Sequence, residues 1–181
     1  MSRESVIRQE GSLPQSETLL TIAEIAVAFA GFSSIVVLFR NREAGAWDSL
    51  VAFRYHAMLG GSLTTAAFSV LPLVVVWLSV PADQVWRVSS GVLFVWFVVQ
   101  IVGQLRIRPM FPGLSGQAWW ILFLSISVGA AIALALNCAG VAFKGSPSQF
   151  MLGITWILFL SGWQSFQLVR LPLGIDDESA A

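Results

Sequence analysis

The sequence predicts an all-α integral membrane protein, a helical bundle with five transmembrane helices. Three observations carry that prediction. Of 181 residues, 56% are hydrophobic and only 11% are charged, where a soluble domain carries about one-quarter charged residues. Five stretches each reach the roughly 20 apolar residues that a spanning helix needs. The breaks between them are short, and two of them are rich in Gly, Pro and Ser. Mean hydropathy is +0.78, so the surface left uncovered by charge must face lipid.

Residues 1–17, "MSRESVIRQEGSLPQSE", are polar and mixed in charge, and they lack the apolar core of a signal peptide. They read as an extracytoplasmic polar tail. The membrane domain covers 18–171. Its first span is expected over 18–39, ending at "RNRE". The second, over 48–79, opens where Asp48 or Ser49 can cap a first turn. It is the longest, and Pro72 within it removes a backbone bond and should kink it. The third, 82–107, follows Pro81, a residue suited to a helix start. The fourth covers 118–143 and the fifth 148–171, before Pro172. The linkers "RPMFPGLSGQ" and "KGSPSQ" have loop composition. Residues 172–181 form a short acidic tail. No internal repeat is evident, which disfavours an inverted-repeat transporter.

Basic residues set the expected orientation. Arg40, Arg42, Arg106, Arg108 and Arg170 fall on one side, with Arg54 just inside it. Cytoplasmic loops collect Lys and Arg, so the N-terminus is expected outside and the C-terminus in the cytoplasm. Trp47, Trp77, Trp86, Trp119 and Trp120 lie near span ends, where indole prefers the headgroup layer. Trp96, Trp156 and Trp163 sit deeper, as packing between helices.

One carboxylate interrupts the first span: Glu24, within "TIAEIAVAFAGFSSIVVLF". Helical spacing sets Glu17, Thr21, Glu24, Ala28 and Gly31 on one stripe. Beside it, Ala26, Ala30 and Ser33 or Ser34 offer small side chains for close helix approach. This small, polar face is expected to look into protein or water, because a charge in hydrocarbon costs about 3 kcal/mol on insertion scales. Depth matching makes Asn137, Ser89 and Ser90 the candidate partners. Two roles stay open for Glu24: a hydrogen bond that fixes packing, or the lining of an ion, proton or ligand path.

A second polar cluster lies toward the cytoplasmic side: Arg54, His56, Gln100, Gln104, Gln164 and Gln167. Gln100, Gln104 and Arg108 share a stripe, as do Trp163, Gln167 and Arg170. Converging amides and guanidinium groups suit an anion, a lipid headgroup or a hydrated vestibule. Snorkelling arginines and amides joining helix ends explain the same residues without a ligand. His56 is expected to share a face with Gly60 and Thr64, with Arg54, Met58 and Gly61 turned the other way.

Several classes are excluded or disfavoured. Zero net charge offers no basic face for nucleic acid. One histidine cannot build a zinc site in a single chain, and the lone Cys138 lies in apolar surroundings as packing. No catalytic motif is present, so no enzyme activity, metal or cofactor is expected.

The segments "TIAEIAVAFAGFSSIVVLFR", "RYHAMLGGSLTTAAFSVLPLV" and "WRVSS" resemble those of small, uncharacterised bacterial multi-pass membrane proteins. The resemblance covers about the first half of the chain. It implies a bacterial inner-membrane protein, and no activity or catalytic residue comes with it. The leading expectation is a homo-oligomer that forms or gates a channel-like pathway for an ion or small solute, using Glu24. The alternative is a non-transporting membrane module that binds a partner protein or lipid.

Overall fold

A computed structural model describes residue 13 and residues 15–44, 49–107, 117–141 and 145–170. Almost all of the expected tails over 1–17 and 172–181, the candidate cap Asp48 and Trp47 lie outside them. The described residues form five helices: α1 Ser16–Ala44, α2 Ser49–Trp77, α3 Ala82–Ile107, α4 Gln117–Ala139 and α5 Pro147–Arg170. No strand occurs among them.

α1 runs five residues beyond the expected Phe39, because Arg and Glu favour helix as strongly as the apolar residues before them. α2 stays helical through the buried Pro72. Its end is set by Ser79, whose φ of 60° carries the chain into the left-handed region. Pro81 then accepts from the amides of Gln84 and Val85, so it precedes α3 as a cap and is not its first residue. α4 stops four residues before the expected Phe143. Gly140, at φ 69°, closes it by donating to Asn137 O while Val141 donates to Leu136 O, a C-terminal arrangement that favours glycine. The Arg87 guanidinium lies where a Gly140 side chain would stand, beside the carbonyl end of α4, where a cation is favoured.

α2 and α5 pack along each other, α3 pairs with α4, and α5 touches all four other helices. α1 is an edge helix that rests on α2 and, less, on α5. It buries Leu19, Ala26, Ala30 and Ser33, so the small-residue stripe expected to permit close approach does so. Ser62, Thr65 and Ser69 are buried on α2. Thr65 and Ser69 donate their hydroxyls to the carbonyl four residues back, at 3.0 and 2.9 Å. Such bonds keep small polar groups satisfied inside an apolar bundle. The dry core gathers Leu93, Leu134, Phe150 and Ile154, all fully buried. Trp86 is buried against Phe150 with ring centres 5.9 Å apart.

Outside this core the molecule is oily. Trp77 is 89% exposed, Phe32 66%, Val95 60% and Leu152 69%, and apolar surface this extensive marks contact with a membrane or a partner. Four helices, α1 to α4, are long and apolar enough to cross a membrane. α5 is as long, at 24 residues, but Gln149, Gln164 and Gln167 dilute it and it is not among them.

Candidate functional site

The polar residues anticipated near one end of the bundle do meet. At the end formed by the start of α2 and α4 and the close of α3 and α5, the helices part around a cavity of about 420 Å³. α2 contributes His56 and Gly61, α3 contributes Trp96, Gln100, Gly103 and Gln104, and α5 contributes Ser161, Trp163, Gln164 and Gln167. α4 closes the fourth side with Trp120, Phe123 and Ser127. Helical periodicity explains the arrangement: Trp96, Gln100 and Gln104 lie at steps of four, so they share a face of α3.

The cavity wall is mostly apolar and aromatic, edged with amides, and among the described residues it carries no fixed charge. His56 is the only titratable side chain on it among the described residues. Its Nδ1 donates to Ala52 O at 2.7 Å, which leaves Nε2 as the ring nitrogen turned to other partners. The serine hydroxyls are already engaged: Ser161 donates to Ile157 O at 3.0 Å, and Ser127 donates to Phe123 O at 2.8 Å while accepting Trp156 Nε1 at 3.0 Å. The exposed His56, Gln100 and Gln104 mark the rim. In the opposite direction, one turn beyond Phe97 and Ile157, the helices close on Leu93, Leu134 and Ile154. The cavity is therefore blind, with a dry floor.

Arg54 does not join it. Arg54 is buried and absent from the cavity wall, as its position two residues from His56 on a helix requires. The side chains of Arg108 and Arg170 lie outside the described residues. Among the described residues, the cavity wall therefore has the amides without Arg54. Gly61, expected on the Arg54 side, instead lines the cavity and faces Ser161.

The Glu24 neighbourhood is split. Asn137 is fully buried and donates Nδ2 to Ser90 Oγ at 2.8 Å and to Ser146 O at 2.9 Å, while Oδ1 accepts from Ser146 N at 2.9 Å. Ser89 is buried as well. Asn137, Ser90 and Ser146 knit α3, α4 and the approach to α5. Glu24 and Thr21 are both exposed, on a helix that has no packing contact with α3 or α4 among the described residues. Thr21 donates its hydroxyl to Glu17 O at 2.9 Å. At about 100° per residue, Glu24 lies roughly 180–240° around α1 from Leu19, Ala26, Ala30 and Ser33. Those four are the residues buried against the bundle, so the carboxylate points away from it. The expected sheltering of its face, and its pairing with Asn137, Ser89 or Ser90, are not found within one chain.

Sequence reasoning read Trp96 and Trp163 as packing and passed over Trp120, Phe123 and Ser127 as site residues. The signal for Trp96 was its place on the Gln100–Gln104 stripe. The residues of α4 carried no such signal. No family model matches the chain, and no curated protein and no solved structure matches it.

Proposed function

We propose that the chain is a multi-pass membrane protein of five spans that binds a small uncharged molecule in the cavity between α2, α3, α4 and α5. One observation carries this: side chains from four helices converge on a single blind cavity whose wall, among the described residues, has amides and aromatic rings but no fixed charge. Its volume falls within the about 300–1,000 Å³ typical of ligand pockets. Leu152, Phe159 and Phe166 project outward from α5, which supports a fifth span that turns its glutamines inward and its apolar side to lipid. With Arg40, Arg42 and Arg106 at the rim end, the positive-inside rule supports a cavity open toward the cytoplasm and an external N-terminus. The first-half resemblance supports a bacterial inner membrane. The test fills the cavity. Gly103 lines it, and a side chain added there meets nothing within 4 Å. Mass spectrometry of molecules retained by purified protein should show a neutral compound on the wild type that is depleted from Gly103→Trp. Identical inventories from the two proteins overturn the proposal.

A second reading, an oligomeric pathway for an ion or small solute, draws on a separate observation. Glu24 is exposed on the outer side of a helix that is otherwise apolar enough to span, so any role it has lies between subunits. A second copy in the same orientation brings a hydrogen-bonding group to the same depth, and closed symmetry is the usual outcome of such pairing. Flux into liposomes from wild type and Glu24→Gln tests it: a conductance that depends on the carboxylate supports the pathway, and equal conductance removes Glu24 from it.

A further inference from the structure

We infer that the cavity's occupant is a planar, uncharged ring with carbonyl oxygens on its edge, the chemistry shared by a quinone headgroup and a neutral heterocyclic base. The inference rests on the cavity being a binding site, and it names the class of molecule bound there.

Charge is decided first. Among the described residues, no ionisable side chain other than His56 lines the cavity, and an ion stripped of water needs an opposite charge or a full set of hydrogen bonds. Shape comes from the rings. Phe123 and Trp163 stand edge to face, with centres 5.4 Å apart and planes at 69°, and both line the cavity. Two walls at such an angle form a corner in which a flat ring lies on one face and turns its edge to the other.

Hydrogen-bonding capacity then separates the neutral candidates. Gln100 and Gln104 from α3 and Gln164 and Gln167 from α5 each offer two N–H donors and one carbonyl acceptor. Ser127 and Ser161 have already given their protons to backbone carbonyls. A sugar presents hydroxyls on every side, and against a wall that is mostly apolar and aromatic many of them would be left unpaired. An alkyl chain alone offers the four amides no hydrogen-bond partner. A ring with two or three carbonyls takes N–H bonds from the amides and covers the rest of the wall with its faces. His56 Nε2 adds one further partner, free because Nδ1 is committed to Ala52 O.

The two sources differ in how they arrive. A quinone carries an apolar tail and comes from the bilayer. A base comes from water past the rim at His56, Gln100 and Gln104. Calorimetric titration of the full-length protein in nanodiscs, against empty discs, separates them with three probes: decylubiquinone, uracil and decylbenzene, a flat ring without carbonyls. Saturable binding of decylubiquinone or of uracil, but not of decylbenzene, is expected, and whichever binds identifies the source. Gln100→Leu with Gln104→Leu should weaken that binding by about tenfold or more, the scale of one or two lost hydrogen bonds. Thr155→Val, on the exposed side of α5, should leave it unchanged. Should the double variant lose helix content by circular dichroism, Gln100→Ala and Gln104→Ala singly carry the same expectation. Decylbenzene binding as well as the carbonyl probes, or glutamine variants without effect, overturns the ligand class while leaving a binding cavity. No saturable binding of any probe overturns the cavity reading itself.

Discussion

Asn137 on α4 donates to Ser90 on α3 across 2.8 Å, and both side chains are fully buried. The same amide spends its second proton and its oxygen on the backbone of Ser146. Two helices and the residue that leads into α5 are thereby tied at one point. Replacement by leucine removes all three bonds and strands the Ser146 groups. Asn137→Leu should cost about 1–3 kcal/mol, read as a lower midpoint of denaturant unfolding in detergent. A midpoint matching the wild type would show that the bonds contribute nothing net.

Adjacent glycines on α2 should respond oppositely to the same substitution. A side chain at Gly60 meets nothing within 4 Å, whereas one at Gly61 runs into the Ser161 hydroxyl of α5. Gly60→Ala should be neutral or stabilising by up to about 1 kcal/mol, the helix propensity difference. Gly61→Ala should push α2 from α5 and cost about 1–3 kcal/mol, the range for overpacking. Ser161→Ala, which keeps the Cβ at an ordinary 3.5 Å, should restore most of that loss. Additive effects in the double variant would contradict the contact.

Glu24 takes no part in packing within one chain, since it is exposed on the far side of α1 from the buried stripe. Glu24→Leu should change monomer stability by less than about 0.5 kcal/mol, as surface substitutions do. If copies assemble through this face, the same variant shifts the subunit distribution seen by mass photometry toward smaller species. Destabilisation of the monomer would mean that Glu24 touches the bundle after all.

The contrast between Glu24 and the glutamines shows how far the sequence could be read. Composition and the spacing of apolar segments sufficed for five helices, with ends shifted by a few residues where Gly140, Ser79 and the charged turn after Phe39 decide. The glutamine stripes were legible because polar residues at steps of three or four on apolar helices have one way to avoid lipid. The direction of Glu24 was legible too, but was read wrongly. Ala26, Ala30 and Ser33 lie across α1 from it, so the two stripes could not both face inward. The pairing of Asn137 with Ser90 was out of reach, because depth alone matched Asn137 to Glu24 as well as to Ser90. Only the packing of α3 on α4, with α1 held apart at the edge, separates those choices.

The central claim is that oil surrounds the bundle and a cavity rimmed with amides opens from one end of it. It is tested by thiol accessibility in membrane vesicles, with the exposed Cys138 first changed to alanine. Gln104→Cys, at the cavity rim, should react with a water-soluble methanethiosulfonate reagent. Val95→Cys, on the same helix and 60% exposed, should stay unmodified. Equal reaction at both positions, or none at Gln104→Cys, would contradict the account.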